Sequence, residues 1–202
     1  MLFRSLSHKP THEASYWNEQ YARNHHGWDI GAVSAPLKAY FDQLSNPSLR
    51  ILIPGAGFGW EAGYLNSKGF DSVFVLDFSE IALNKFQKNF PAFPASNILP
   101  EDFFQHTGSY DLIVEQTFFS GIPRHMRQQY AKHTAGLLNK KGKLTGLLFN
   151  HEFDFDGPPY GGNPEEYKSC FEPYFNIIVF ETAYNSIKPR AGRELFLLLE
   201  KK

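Results

Sequence analysis

The chain has 202 residues, enough for one domain with a sizeable buried core. Its 20 Lys and Arg against 21 Asp and Glu leave a formal net charge of −1, which argues against a nucleic-acid or membrane-surface partner. The single cysteine, Cys170, cannot form an internal disulfide, and residues 1–10 contain no apolar segment typical of a signal peptide. No later run is long enough to span a bilayer. We therefore expect one domain, residues 1–202, in a monomeric cytoplasmic protein.

Short β-rich runs alternate with helical patterns through the middle of the chain. Residues 1–46 precede them and are expected to cover a pocket, with one or two helices within residues 11–46. The predicted strands span residues 50–53, 72–76, 94–97, 111–115 and 144–149. The predicted helices span residues 60–67, 80–89 and 124–138, the last ending before Lys141-Gly142. This alternation predicts βαβ units and a mostly parallel sheet with helices on both faces.

The last part of the chain has a different pattern. Residues 176–182 and 194–200 are two β-rich runs joined by a short Pro/Gly loop without a helix between them, so we expect an antiparallel hairpin. Five alternating units and a closing hairpin predict an α/β fold with a seven-stranded, mostly parallel sheet. This is the Rossmann-like topology of class I methyltransferases.

A glycine-rich turn, Pro54-Gly55-Ala56-Gly57-Phe58-Gly59, follows the first predicted strand, and Asp77 stands 22 positions after Gly55. Glycines let the backbone approach a nucleoside, and a carboxylate at this spacing accepts hydrogen bonds from a ribose. Trp60 occupies the position where the dinucleotide fingerprint needs a small residue, which counts against a nicotinamide oxidoreductase. Because no Lys-Ser/Thr pair of a phosphate loop is present either, the pattern favours a nucleoside without phosphates, of which S-adenosylmethionine is the common one.

From about Trp17 to Lys202 the chain resembles the thiopurine methyltransferase-like superfamily, and within it the halide/thiol methyltransferase branch. The motifs that carry the resemblance include Gly27-Trp28-Asp29-Ile30-Gly31, Glu101-Asp102-Phe103-Phe104, Gly157-Pro158-Pro159-Tyr160 and Lys188-Pro189-Arg190-Ala191-Gly192-Arg193. The resemblance implies a methyltransferase that uses S-adenosyl-L-methionine and releases S-adenosyl-L-homocysteine.

The resemblance also implies a role for each matching position. Trp17 and Trp28 would close over the methionine end of the cofactor, Asp77 would hold the ribose hydroxyls, and Asp102 and Phe103 would bracket the adenine. The implied cofactor-binding residues are Trp17, Trp28, Gly55, Gly57, Gly59, Asp77, Asp102, Phe103 and Gln116. Two positions where the methyl group and the acceptor should meet depart from the branch: Gln116 stands where an aromatic residue is usual, and Tyr21 stands where a second Trp is usual.

The acceptor expected from this resemblance is a small soft nucleophile: a thiol, a thiopurine-like thiol, thiocyanate or a halide. Such a nucleophile needs no strong base, only a dry pocket in line with the methyl carbon. The aromatic residues expected to form its walls are Trp17, Tyr21, Trp28, Phe118, Phe119 and Tyr160. Tyr160 is the candidate that orients the acceptor, and Arg190, with Arg193 beside it, could attract an anionic one.

Alternatives to this function remain open. An O- or N-methyltransferase acting on a small metabolite is the nearest, and a cofactor-binding protein without turnover is a different class. The segment His151-Glu152-Phe153-Asp154-Phe155-Asp156 has the oxygen and nitrogen donors of a Mg²⁺ site. Because alternation puts its acidic residues on one side of an extended segment, a solvated face is the better explanation, and we predict no metal.

Overall fold

The computed structural model describes residue 11 and residues 13–202. Residues 1–10, in which the sequence predicts no signal peptide, lie outside this part. The strands are β1 (Ile51–Pro54), β2 (Val73–Leu76), β3 (Ile98–Leu99), β4 (Tyr110–Gln116), β5 (Leu138–Phe149), β6 (Phe175–Thr182) and β7 (Glu194–Lys201). The helices are α1 (Ala14–Ala22), α2 (Ala35–Phe41), α3 (Trp60–Ser67), α4 (Glu80–Asn89), α5 (Phe118–Gly121), α6 (Arg127–Leu137) and α7 (Pro164–Phe171). In the described residues no helix is both long and apolar enough to cross a membrane.

The seven strands in this part of the chain form one sheet in the order β3-β2-β1-β4-β5-β7-β6. Strands β1 to β5 pair in parallel, whereas β7 is antiparallel to both β5 and β6. The predicted mostly parallel sheet and closing hairpin are therefore confirmed. The chain reverses direction across the sheet between β1 and β4, and α/β sheets bind ligands at the carboxyl ends of the strands beside such a switch point.

Helices cover both faces of the sheet. In β1, Ile51 and Ile53 pack with residues of α2, α3 and α4, while Leu52 between them packs with residues of α6 and α7. This alternation is the two-residue period of a strand that is buried on both faces. The helix α4 begins where predicted, because the Ser79 hydroxyl accepts a hydrogen bond from the Ala82 N–H at 3.2 Å.

Two predicted boundaries are wrong. Residues 95–97, predicted as strand, form a 3₁₀ turn, and the strand follows at Ile98–Leu99. The cause is the Asn97 amide, which donates to the carbonyls of Asp71 and Val73 and holds the turn against β2. The helix predicted over 124–138 begins with a 3₁₀ turn at Arg124–Met126 and continues as α6, which ends at Leu137, one residue before the predicted end. Here Leu138 already pairs with Tyr110 of β4.

Candidate functional site

A cleft of about 810 Å³, counting its open mouth, lies where the carboxyl ends of the parallel strands meet. Its walls come from α1 and the segment after it, from the turns after β1 to β4, and from the loop after β5. They are formed by Thr11, Trp17, Tyr21, Trp28, Gly55, Leu76, Asp77, Phe78, Glu101, Asp102, Phe103, Phe104, Thr117, Phe118, Ser120, Gly121, Ile122, Pro158 and Pro159. Six of the predicted cofactor-binding residues are among them: Trp17, Trp28, Gly55, Asp77, Asp102 and Phe103.

The glycine-rich turn after β1 requires glycine at two positions. Gly55 and Gly57 have φ angles of 57° and 54°, in the left-handed region that side chains avoid. A Cβ at Gly55 would overlap the Phe118 ring, and one at Gly57 would lie 2.9 Å from the Tyr21 hydroxyl. The absence of side chains therefore lets the Phe118 ring and the Tyr21 hydroxyl approach the backbone of the turn closely at the floor of the cleft.

Asp77, at the end of β2, is held by the backbone around it. One carboxylate oxygen accepts the Gly57 N–H at 2.9 Å and the other accepts the Ser79 N–H at 2.8 Å. Burial raises the pKa of the Asp77 carboxyl to about 6, while these N–H groups oppose the shift. Each oxygen has lone pairs beyond those used by the backbone, so the carboxylate can accept further hydrogen bonds from a ligand.

Asp102 and Phe103 line the neighbouring part of the cleft, beyond β3. The Asp102 carboxylate accepts the Phe104 N–H at 2.9 Å and so begins a short 3₁₀ turn. Phe103 is almost fully buried and packs edge-on against Phe118, with ring centroids 5.3 Å apart. The turn thus fixes one acidic and one aromatic side chain side by side, an arrangement that can hydrogen-bond and flank a flat heterocycle.

Residues 13–34, here called the N-terminal cover, form the roof of the cleft. Three rings meet edge to face in it: Trp28 lies 5.3 Å from Trp17 and 5.7 Å from Tyr21, measured between centroids. The predicted aromatic walls at Trp17, Tyr21, Trp28 and Phe118 all line the cleft, whereas Phe119 is buried beneath it.

Several hydrogen bonds attach the N-terminal cover to the rest of the domain. The Trp60 indole donates to Asp29 at 2.8 Å, and the Ser34 N–H donates to the buried Glu61 carboxylate at 3.1 Å. The Ser79 hydroxyl donates to the Asn18 side chain at 2.7 Å. These attachments come from both ends of the cover, so the roof is held at several points.

A second cavity of about 500 Å³ adjoins the cleft and shares Tyr21, Trp28, Gly55 and Thr117 with it. It also contains Gly57 and Gln116, two further predicted cofactor-binding residues. The Gln116 Oε1 atom is buried and has no hydrogen-bond partner in the described part of the chain. Burial raises the pKa of Glu61, which lines this cavity together with Asp29. The cavity therefore suits a ligand group that donates hydrogen bonds.

The two cavities share one electrostatic property. Within residue 11 and residues 13–202, no Lys, Arg or His lines either of them. The carboxylates of Asp77, Glu101 and Asp102 line the cleft, and those of Asp29 and Glu61 line the second cavity. Such a site attracts a positively charged group and offers no ion pair to a negatively charged one.

Three predicted site residues lie outside both cavities. Gly59 begins α3 and its α-carbon lies against the Phe86 ring. Tyr160 stands behind Pro158 and Pro159, with its hydroxyl 3.4 Å from the Thr11 hydroxyl. Gly59 therefore packs against α4, and Tyr160 is part of the loop after β5.

Arg190 is the third, and it is a buried residue with two partners. Its guanidinium pairs with Glu194 at 3.2 Å and donates to the Trp28 carbonyl at 2.5 Å. The side chain therefore faces the N-terminal cover and connects it to the loop between β6 and β7. Its positive charge is already neutralised by Glu194, which is 3% exposed.

The segment with possible metal donors has other partners. Glu152 pairs with Arg124, and the Arg193 guanidinium lies 2.6 Å from the His151 ring. In the described residues no group of three or more His, Cys, Asp or Glu is arranged to hold a metal ion.

Thr117 and Ser120 are among the site residues that sequence reasoning missed. Thr117, directly after β4, lines both cavities with a φ of 63°, a conformation that is strained for a β-branched residue. Ser120 lines the cleft from α5. No local pattern marks the φ of Thr117, but the aromatic pair after a predicted strand, Phe118-Phe119, was a signal that this turn is buried.

Comparison with known proteins gives a consistent result. The profile of the family "Thiopurine S-methyltransferase (TPMT)" matches residues 12–196. A probable thiol methyltransferase 2 of Arabidopsis thaliana is 29% identical, over 95% of this chain and 88% of the relative. A thiocyanate methyltransferase 1 of Brassica oleracea is 31% identical, over 83% of this chain and 76% of the relative. The crystal structure of magnesium protoporphyrin IX methyltransferase from Synechocystis, with bound S-adenosylmethionine, superposes with a TM-score of 0.73 at 15% identity, over 98% of this chain and 100% of that one.

Proposed function

Because the chain belongs to the thiopurine S-methyltransferase family and is an S-adenosylmethionine-dependent methyltransferase, we propose that it methylates a small soft nucleophile. The acceptors we propose are a thiol, a thiopurine-like thiol, thiocyanate or a halide. The names of the two plant relatives, thiol methyltransferase and thiocyanate methyltransferase, are in line with this acceptor class.

The residues of both cavities fit the cofactor. When bound, it supplies an electrophilic methyl group on a positively charged sulfur. Asp77 would accept the ribose hydroxyls, and Asp102 and Phe103 would hold the adenine. The unpartnered Gln116 Oε1 atom and the Asp29 carboxylate would receive the ammonium group of the methionine end. This assignment is supported by the acidic lining, because a sulfonium and an ammonium are both cations.

The sheet order supports a separate position for the acceptor. Asp77 follows β2 and Asp102 follows β3, on one side of β1. The remaining walls follow β4 and β5, on the other side of β1, and consist of Phe118, Ser120, Gly121, Ile122, Pro158 and Pro159. An acceptor would therefore lie against these residues, beneath Trp17.

One observation carries the proposal: among the described residues, the lining that we assign to the acceptor contains no group that can remove a proton near neutral pH. Its lining is apolar apart from hydroxyls, of which Ser120 already donates to the Thr117 carbonyl at 2.7 Å. Among the described lining residues the titratable carboxylates lie on the β2–β3 side or in the second cavity. The acceptor must then be a nucleophile without help from a base, as thiolates, thiocyanate and halides are.

The chain's own contribution is position and exclusion of water. Trp17 and Trp28 close the roof, and their ring faces can attract a cation. Loss of water around an anionic nucleophile lowers the cost of its approach to a positively charged sulfur. Holding both reactants in line replaces a bimolecular encounter by a step within one complex.

The test is methyl transfer from labelled S-adenosylmethionine to a panel of acceptors: iodide, thiocyanate and thiophenol on one side, catechol and a primary amine on the other. We expect transfer to at least one soft acceptor and rates near background for the phenol and the amine. Asp77→Asn serves as the variant in which transfer to every acceptor should fall together. Transfer confined to catechol or the amine, or cofactor binding without any transfer, would refute the proposal.

A further inference from the structure

Arg127, at the start of α6, is the largest charged side chain that is fully buried, with 1% of its surface exposed. One guanidinium nitrogen pairs with Glu166 at 2.5 Å. The second terminal nitrogen of the guanidinium, Nη2, donates to two backbone carbonyls, those of Tyr160 at 3.1 Å and of Gly161 at 2.9 Å. Burying a charge is costly unless it is paired and hydrogen-bonded, so this residue ties its partners together firmly.

The carbonyls that Arg127 holds belong to the loop after β5. The same loop is bound through its N–H groups as well: Tyr160 donates to the Ser120 carbonyl at 2.7 Å, and Gly162 donates to the His151 carbonyl at 3.1 Å. Pro158 and Pro159 directly precede this bonded stretch and form one wall of the cleft. A restraint on residues 160–162 is therefore a restraint on that wall.

The site is shaped for a guanidinium. Its central carbon lies over two neighbouring rings, 4.8 Å from the Phe119 centroid and 5.3 Å from the Tyr167 centroid. A planar fork can reach a carboxylate and two carbonyls at once, whereas a lysine ammonium cannot stack in the same way. Phe119 belongs to α5, which also carries Ser120, so the one guanidinium connects α5, α6, α7 and the loop after β5.

We propose that Arg127 is a positioning residue for the methyl acceptor, acting through the Pro158–Pro159 wall; this inference rests on the proposed function. Arg127 does not itself line either cavity. Asp77, Asp102 and Phe103, which we assign to the ribose and the adenine, lie across β1 from this wall. Loosening the loop therefore impairs the positioning of the acceptor and leaves the cofactor site in place.

The experiment compares Arg127→Lys and Arg127→Gln with Arg124→Gln as the matched control. Arg124 lies one turn earlier and pairs with Glu152 and Glu166, but it is exposed, and these partners are carboxylates rather than the carbonyls of Tyr160 and Gly161. For both Arg127 variants we expect kcat/KM for the acceptor to fall by about 10- to 100-fold, with the Kd for S-adenosylhomocysteine changed by less than about threefold. The control should stay within about twofold in both quantities.

A second measurement does not depend on turnover. Amide hydrogen exchange at Tyr160 and Gly162 should become faster in both Arg127 variants, with exchange in β1 and β4 unchanged. If the Arg127 variants unfold, Pro159→Gly tests the same wall without touching the guanidinium and should reproduce the selective loss of acceptor kcat/KM.

Three results would overturn the inference: unchanged exchange at Tyr160 and Gly162, equal losses of acceptor kcat/KM and cofactor affinity, or unchanged kinetics in Pro159→Gly. Failure of the proposed function is recognised separately, because the unmodified protein would then transfer methyl to no soft acceptor. In that case the exchange measurement alone decides whether Arg127 holds the loop.

Discussion

Asp77 allows a quantitative prediction about cofactor affinity, tested with the substitution Asp77→Asn. The carboxylate is buried, its oxygens accept N–H groups from Gly57 and Ser79, and it lines the cleft where we place the ribose. Asparagine keeps the shape, but its NH₂ group must face one of those N–H donors. It also replaces charge-assisted hydrogen bonds to the ribose by weaker ones.

The magnitude follows from the worth of such bonds. Hydrogen bonds to a charged group contribute roughly 1.5–3 kcal/mol, and about 1.4 kcal/mol is a factor of ten. At about pH 7.5 we therefore expect the Kd for S-adenosylhomocysteine to rise by about 10- to 150-fold. Isothermal titration calorimetry measures this directly, and Asp71→Asn, an exposed acid just before β2, controls for the loss of one charge.

The pH dependence supplies a second number. With a pKa of about 6, Asp77 is mostly ionised at about pH 7.5 and about three-quarters protonated at about pH 5.5. If only the ionised form binds, the apparent affinity of the unmodified protein falls roughly fourfold between these values. The Asp77→Asn protein should lack this dependence. Affinity that is unchanged by the substitution, or equal pH profiles in the two proteins, would refute the assignment of Asp77 to the ribose.

Three further predictions concern Glu115, Arg190 and Tyr160. Burial raises the pKa of the Glu115 carboxyl from 4.5 to about 7. Between these two pH values the folded chain keeps a proton that the unfolded chain releases, so the free energy of unfolding should fall as the pH rises. In urea titrations over this pH range, the free energy of unfolding should fall by roughly 3 kcal/mol less in Glu115→Gln than in the unmodified protein. An unaltered pH profile in the variant would contradict this prediction. Arg190→Met should destabilise the fold, because it leaves the Glu194 carboxylate buried without a partner. The double variant Arg190→Met with Glu194→Gln should fold, but it should bind the cofactor several-fold more weakly because Trp28 is misplaced. Full cofactor affinity in the double variant would argue against a role for the contact between Arg190 and Trp28. Tyr160→Phe should change turnover less than about threefold, because the hydroxyl only reaches Thr11 at 3.4 Å; a large loss of kcat with normal cofactor binding would restore a direct role at the acceptor.

The parts of the fold that the sequence predicted are those determined by neighbouring residues. The glycine turn with Asp77, the antiparallel hairpin, and the start of α4 at Ser79 each follow from a short pattern. Helix α7 also had such a signal that was overlooked: Asn163 caps it, with Pro164 at its first position. Local preference is sufficient in these cases because the partners of each residue are close in sequence.

The remaining features depend on distant partners. Asn97 bonds to carbonyls more than twenty positions earlier, and that contact, which a β-propensity pattern does not contain, turns the predicted strand into a 3₁₀ turn. Arg127 and Arg190 are buried because of partners 33 and 162 positions away. Nothing in the residues beside them distinguishes these arginines from solvated ones. The sequence therefore predicted which residues line the cleft better than which residues hold its walls in place.

The acidic lining described above also bears on how each turnover ends. Methyl transfer leaves the cofactor sulfur without its positive charge, while the carboxylates of Asp77, Glu101 and Asp102 remain where they were. The acidic walls then bind the neutral thioether of the product less strongly than the positively charged cofactor. The same carboxylates that favour binding of the cofactor therefore also favour release of the product. We expect S-adenosylhomocysteine to bind no more tightly than S-adenosylmethionine, and calorimetry with both would show the opposite order if the carboxylates had no such effect. Product inhibition would then be weak, and the enzyme could work where spent cofactor accumulates.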